Sequence, residues 1–140
     1  VDPAVRDNLA IRWASVCGYT EIVRLLLDLP LNRGVDPAAR QNEAFRFACA
    51  NGRTKIVRLL LDLPLERGVN PGANGNLALT AASRYGRTRI VRLLLDLPLE
   101  RGVAACDNEA LQDASAYKHT EIVRMFLALP LERGVNHAAI

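Results

Sequence analysis

Large aromatic side chains recur beside arginines in this sequence: Arg12-Trp13, Arg46-Phe47 and Arg84-Tyr85, with Tyr117 as a fourth aromatic. Aromatic residues and arginine dominate binding energy where proteins meet. The chemistry they could do is therefore recognition of another surface. Val16 and Asn51 fall on the same helical stripe, which completes a candidate set of Arg12, Trp13, Val16, Arg46, Phe47, Asn51, Arg84, Tyr85 and Tyr117. Trp13 and Phe47 each lie five residues after an asparagine, a register that equally suits packing between neighbouring repeats. Asp113 at the matching place in a later copy argues against an obligatory core position.

Other chemistries find less support. Arg53 and Lys55, then Arg87 and Arg89, flank the starts of two expected helices, where the backbone already carries partial positive charge. Such a cluster is either a solvated basic face or an anion patch. Ser115 and His119 lie four apart near Asp113, but Ser115 matches Ser15, Cys49 and Ser83, a small packing position expected to be buried. No catalytic residue is assigned, and a non-enzyme is expected. The two histidines, His119 and His137, and the cysteines Cys17, Cys49 and Cys106 have no metal-ligand spacing, so no metal or cofactor is expected. Gly72 and Gly75 lack the lysine of a phosphate-cradling loop.

The chain has 140 residues, half of them hydrophobic and 24% charged, with a net charge of +3. That composition excludes simple disorder. The charge alone does not call for nucleic acid, which is not the expected partner. No apolar run approaches the length that crosses a bilayer, so no membrane partner is expected. Three widely spaced cysteines without a pairing pattern fit a reducing compartment, and the expected location is intracellular and cytoplasmic. The first residue is not methionine and no leader is visible, which suggests a processed product or a piece of a longer array.

The elements that must position these side chains come from a repeat. Ile-Val-Arg-Leu-Leu-Leu or a close variant starts at Ile22, Ile56, Ile90 and Ile122, at spacings of 34, 34 and 32 residues. An asparagine stands fourteen residues before each: Asn8, Asn42, Asn76 and Asn108. Leu-Pro-Leu-x-Arg-Gly-Val follows each, ending at Val35, Val69, Val103 and Val135. The implied units are about 1–34, 35–68, 69–102 and 103–136, forming one array.

Each unit predicts two short helices. The first runs from about Asn8 to Cys17, capped by Asp7 or Asn8, with Ala10, Ile11, Ala14 and Ser15 on one stripe. Gly18, Gly52 and Gly86 close it in a left-handed turn, and Lys118 takes that place at a steric cost. The second starts near Thr20, expected as its cap, and ends before Pro30. Arg24–Asp28, Arg58–Asp62 and Arg92–Asp96 are expected to pair across one turn. Leu29 and Leu31 are expected to tuck the connector under the helices. A lone pair cannot bury its apolar side, so the pairs must stack. The fold class is all-α, a helical solenoid of four stacked helix-turn-helix units.

The segment Gly18-Tyr19-Thr20-Glu21-Ile22-Val23-Arg24-Leu25-Leu26-Leu27 resembles the second helix of the ankyrin repeat, and Ile11-Arg12-Trp13-Ala14-Ser15 loosely resembles its first. The family's Thr-Pro-Leu-His opening is replaced, and the connector is longer, so loops are expected in place of full hairpin fingers. The resemblance implies a non-catalytic module that binds a protein or peptide along a concave groove. Arg6, Asp7, Arg40, Gln41, Asn74 and Asn76 would be the loop residues beside it. The alternatives are a structural spacer within a longer array, or a weak anion or nucleic-acid binder through Arg53, Lys55, Arg87 and Arg89. Leu9, Trp13 and Val16 are read as an apolar stripe on the first unit, exposed on its flank or lying in the groove. An exposed flank implies weak end-to-end self-association.

Overall fold

In a computed structural model the chain is described at residues 1–98, 101 and 108–129. Cys106, His137, the connector copies at 99–103 and 131–135 and the shortened loop before Asn108 lie wholly or largely outside these. The described residues form four helix pairs and no strand: α1 (Val5–Cys17) with α2 (Thr20–Leu27), α3 (Ala39–Ala50) with α4 (Thr54–Leu61), α5 (Ala73–Arg84) with α6 (Thr88–Leu95), and α7 (Asn108–Ala116) with α8 (Thr120–Leu127). The chain divides into two compact units, Val1–Asn70 and Pro71–Ile140, each holding two pairs. In the first unit α1 packs on α3 and α2 on α4; in the second α5 packs on α7 and α6 on α8.

Like packs on like because the repeat sets the same stripe on each helix. Ile11 and Ala14 of α1, with Val23 and Leu27 of α2, are buried in the first pair; Ala44, Phe45, Ala48, Ile56, Val57 and Leu60 are fully buried in the second. The position decides as much as the residue type. Ile56 and Ile122 are wholly buried, whereas Ile22, at the same repeat position, is 47% exposed. Ala10 is likewise exposed where Ala44 and Ala110 are buried. Nothing described packs on the leading face of the first pair, so its apolar stripe faces water. In α7 Ser115, expected to be buried, is exposed, and in α8 Leu127 is 41% exposed against 9% for Leu27.

The entries into α1, α3 and α5 differ from the expected cap. Three consecutive residues adopt left-handed backbone: Arg6, Asp7 and Asn8 before α1 proper, Arg40, Gln41 and Asn42 before α3, and Asn74, Gly75 and Asn76 before α5. Left-handed backbone costs a side-chain-bearing residue about 1–2 kcal/mol. Asparagine at the third place tolerates it best, and Gly75 removes the cost at the second place of the third copy. The asparagine does not cap its own helix. Asn8 Oδ1 accepts the N–H of Asp36 at 2.7 Å, and Asn42 Oδ1 accepts that of Asn70 at 2.9 Å. In the first two copies the asparagine thus ties the start of one repeat to the loop that opens the next.

The connector also has its own bonds. Asp2 and Asp36 accept the N–H groups of Ala4 and Ala38 two residues on, the short turn that aspartate favours. Leu31–Arg33 and Leu65–Arg67 form single 3-10 turns after Pro30 and Pro64. Arg33 donates to the carbonyl of Val1, and Arg67 to that of Val35. Leu31 and Leu65 do not tuck under the helices; they are 70% and 68% exposed. Arg24 pairs with Glu21, not Asp28. The helix ends at Leu27, and an acid on the N-terminal side of its arginine is the favoured order. Thr20 is the first residue of α2, and no side chain caps that helix.

Gly18 and Gly86 do close the first helices in left-handed backbone, at φ +80° and +73°. Their second task is room: a methyl at Gly18 would come within 2.9 Å of Arg53 Cδ, and one at Gly86 within 2.7 Å of the His119 ring. Lys118 keeps the left-handed turn at φ +62°.

Ser15 and Ser83 are fully buried, and their hydroxyls have no hydrogen-bond partner. Cys49 holds the same position in the second copy, where burial pushes its thiol pKa well above the ordinary range. Stranding a polar group in a core costs about 1–3 kcal/mol. Ser15→Ala and Ser83→Ala should each stabilise the chain by about 1 kcal/mol. The check is the denaturant midpoint, and a lowered midpoint in both would contradict the unpaired hydroxyls.

Candidate protein-binding site

The first unit brings five of the sequence-derived candidates to one place. Arg12, Trp13, Val16, Phe47 and Asn51 line an open pocket of about 420 Å³ together with Leu9 and Glu43. Its walls come from α1 and α3. Successive turns of each helix present Leu9, Trp13 and Val16 on one side, and Glu43, Phe47 and Asn51 on the other. Trp13 is 61% exposed and Phe47 38%, so these aromatics stand at the surface and are not packed between repeats. The stripe of Leu9, Trp13 and Val16 therefore belongs to the pocket. The exposed leading flank is made by different residues, Ala10, Ile22 and Leu25.

Arg12 sits at the pocket's base and is only 8% exposed. Its Nε donates to the carbonyl of Asp7 at 2.9 Å and its Nη2 to that of Arg6 at 3.0 Å, while Nη1 meets the Glu43 carboxylate. One guanidinium thus braces the left-handed turn and joins α1 to α3. Arg46 repeats the brace, donating to the carbonyls of Gln41 and Arg40, and its guanidinium carbon lies 5.7 Å from the centre of the Phe47 ring. That is cation–π distance. Asn51 donates from its side chain to the carbonyl of Phe47 at 2.7 Å.

Sequence reasoning missed the Arg12–Glu43 pair and the left-handed turns. Glu43 replaces Leu9 at one repeat position, and a charge appearing on an otherwise apolar stripe was the available signal. Asn74-Gly75-Asn76, three residues that each tolerate positive φ, was the signal for the turn.

The second unit holds Arg84, Tyr85 and Tyr117. Tyr85 and Tyr117 are more than half exposed. Arg84 donates to Asp113 at 3.1 Å, and this bond, with the attraction of the two charges, raises the arginine's pKa. The Tyr117 and His119 rings stack with centroids 6.5 Å apart, and His119 Nε2 lies 2.8 Å from the Arg84 carbonyl. His119 and Asp113 are thus engaged with Arg84, and no described contact joins either to Ser115.

Of the basic residues, Arg53 and Lys55 share a shallow pocket of about 260 Å³ with Gly18, Thr20, Gly52 and Thr54. Arg53 donates through Nε to the carbonyl of Val16 at 3.0 Å, so part of its guanidinium serves the fold. Arg87 and Arg89 belong to the second unit, where Arg87 is half-buried and Arg89 exposed. No group of three metal-ligating side chains occurs among the described residues, and none of their helices is long and apolar enough to cross a membrane.

The helix pairs, the glycine-closed turns and the stacking of first helix on first helix have a counterpart among known families. Residues 47–137 match the family of ankyrin repeats, in three copies. The chain belongs to the ankyrin-repeat family. The match covers most of the length, and the helical segments that carry it are those described above. No curated protein matches the sequence. Ankyrin repeats in general mediate protein–protein interaction and form a non-catalytic, all-helical repeat fold. In this member the two described connectors, after α2 and after α4, are loops built on a 3-10 turn and a left-handed turn.

Proposed function

We propose that this ankyrin-repeat chain is a non-catalytic module that binds a protein or peptide through the outer faces of its first helices. The observation that carries the reading is the pocket of Leu9, Trp13, Val16 and Phe47, where aromatic rings stand exposed on a rigid, cross-braced base. Exposed aromatics on a rigid frame bind at low entropic cost, because little side-chain freedom is left to lose. Arg12 acts from the base through Glu43, whereas Trp13, Val16, Phe47 and Asn51 make the contacts. Arg46 lies over the Phe47 ring and adds positive charge beside it. In the second unit Arg84, Tyr85 and Tyr117 offer a separate contact surface of the same composition.

Affinity capture from cell extract with the wild-type chain and with Trp13→Ser/Phe47→Ala, followed by calorimetry on the purified candidate, tests the reading. Loss of both rings should weaken binding by about a hundredfold or more, since aromatic hot spots carry about 2 kcal/mol or more each and every 1.4 kcal/mol is about tenfold. A partner held equally by both chains would place the binding surface elsewhere.

A further inference from the structure

The pocket of the first unit has an apolar interior and a cationic surround, and the two together specify an occupant. The interior is set by Leu9, Trp13, Val16 and Phe47. A space of about 420 Å³ accommodates a bulky side chain such as leucine or phenylalanine with part of its backbone. Arg46 lies over the Phe47 ring on one side, and Arg53 is held at the Val16 carbonyl on the other. The turns beside the pocket carry Arg6 and Arg40, both exposed, whose carbonyls hold the guanidinium groups of Arg12 and Arg46. Against these stand Asp7, which is exposed, and Glu43, whose charge is met by Arg12. The surround is therefore net positive, although the interior is apolar. The positive charge is spread over several arginines rather than focused at one point, so it suits an extended acidic chain better than a single small anion.

Resting on the binding reading above, we infer that the partner presents an acidic peptide segment with one bulky apolar anchor, the anchor entering between Trp13 and Phe47 and the flanking carboxylates meeting Arg6, Arg40 and Arg46. A basic segment would have to bring its charges against those arginines, and like charges juxtaposed across an interface are strongly disfavoured.

The test is selection of short random peptides displayed on phage against the full chain. Synthetic versions of the selected sequences are then titrated while the emission of Trp13, the single tryptophan, is followed. The expected consensus is one large apolar residue flanked by aspartate or glutamate. Its binding should shift Trp13 emission and weaken with added salt. Alanine in place of the anchor and Phe47→Ala in the protein should each cost about tenfold. Arg6→Glu with Arg40→Glu should weaken the acidic peptides about tenfold and turn the preference toward lysine flanks. The salt series reads the same electrostatics in the unmodified chain. Neutral or basic peptides that shift Trp13 emission would overturn the acidic inference and leave the binding reading standing. Peptides that leave Trp13 emission unchanged and ignore Phe47→Ala, or a selection that enriches nothing, would overturn both.

Discussion

Ile56→Ala should destabilise the chain by about 3 kcal/mol, while Ile22→Ala, the same substitution at the same repeat position, should cost about 1 kcal/mol or less. Both isoleucines open an Ile-Val-Arg-Leu-Leu-Leu helix, and both lie two residues after its threonine. Their surroundings differ. Ile56 of α4 is wholly buried, so its truncation loses transfer energy and leaves a cavity that close packing cannot fill. Ile22 is 47% exposed, so much of its surface is already in water and no closed cavity forms. Denaturant unfolding followed by circular dichroism reads both values. Leu60→Ala, also fully buried, should group with Ile56→Ala, and the exposed Leu25→Ala with Ile22→Ala. Equal losses at Ile22 and Ile56 would mean that the leading face is covered in solution.

Asn42→Ala should cost about 2–3 kcal/mol, an unusually large loss for a polar residue on a turn. Two effects add. The Asn70 N–H loses the acceptor that now stands 2.9 Å away, and alanine takes over a backbone at φ +62° that asparagine tolerates. The side chain is 7% exposed, so water replaces the bond poorly. Asn42→Asp keeps an acceptor and the tolerance of left-handed backbone, and should recover most of the loss. Asn42→Gly keeps only the backbone freedom and should fall between the two. Asn8→Ala should follow the same pattern through Asp36. If aspartate proved as damaging as alanine, the hydrogen bond would not be the source of the stability. Melting temperature and denaturant midpoint both read the series.

The contrast between Ile22 and Ile56 marks where sequence reasoning stops. The four copies of the repeat, with asparagine fourteen residues before isoleucine in each, determine the helix pairs, their all-α class and the family. They do so because helical periodicity and glycine-closed turns are local, and local signals survive in any copy. Gly18 and Gly86 were legible as turn residues for the same reason, since positive φ is a property of one residue. That Gly18 also clears space for Arg53 was not legible, because the two come together only when the pairs stack.

The candidate site divides in the same way. Residue type and spacing were enough to single out Trp13 and Phe47, but not to choose between groove and inter-repeat core. Their exposure and shared pocket decide for the surface. Arg12 and Trp13 are adjacent in sequence, yet one braces a turn from a buried base and the other stands in solvent, since neighbouring residues on a helix point about 100° apart. Arg24 found Glu21 rather than Asp28, and Ser115 came out exposed while Ser15 and Ser83 are buried. The sequence by itself determined that each repeat is two helices joined by a tight turn, closed by glycine in three of the copies, whereas the partner of the repeated asparagine came only with the fold. Only the tertiary structure decided what each copy of a position does. Burial, ion pairing and exposure depend on which neighbour a residue meets, and matching positions in different copies meet different neighbours.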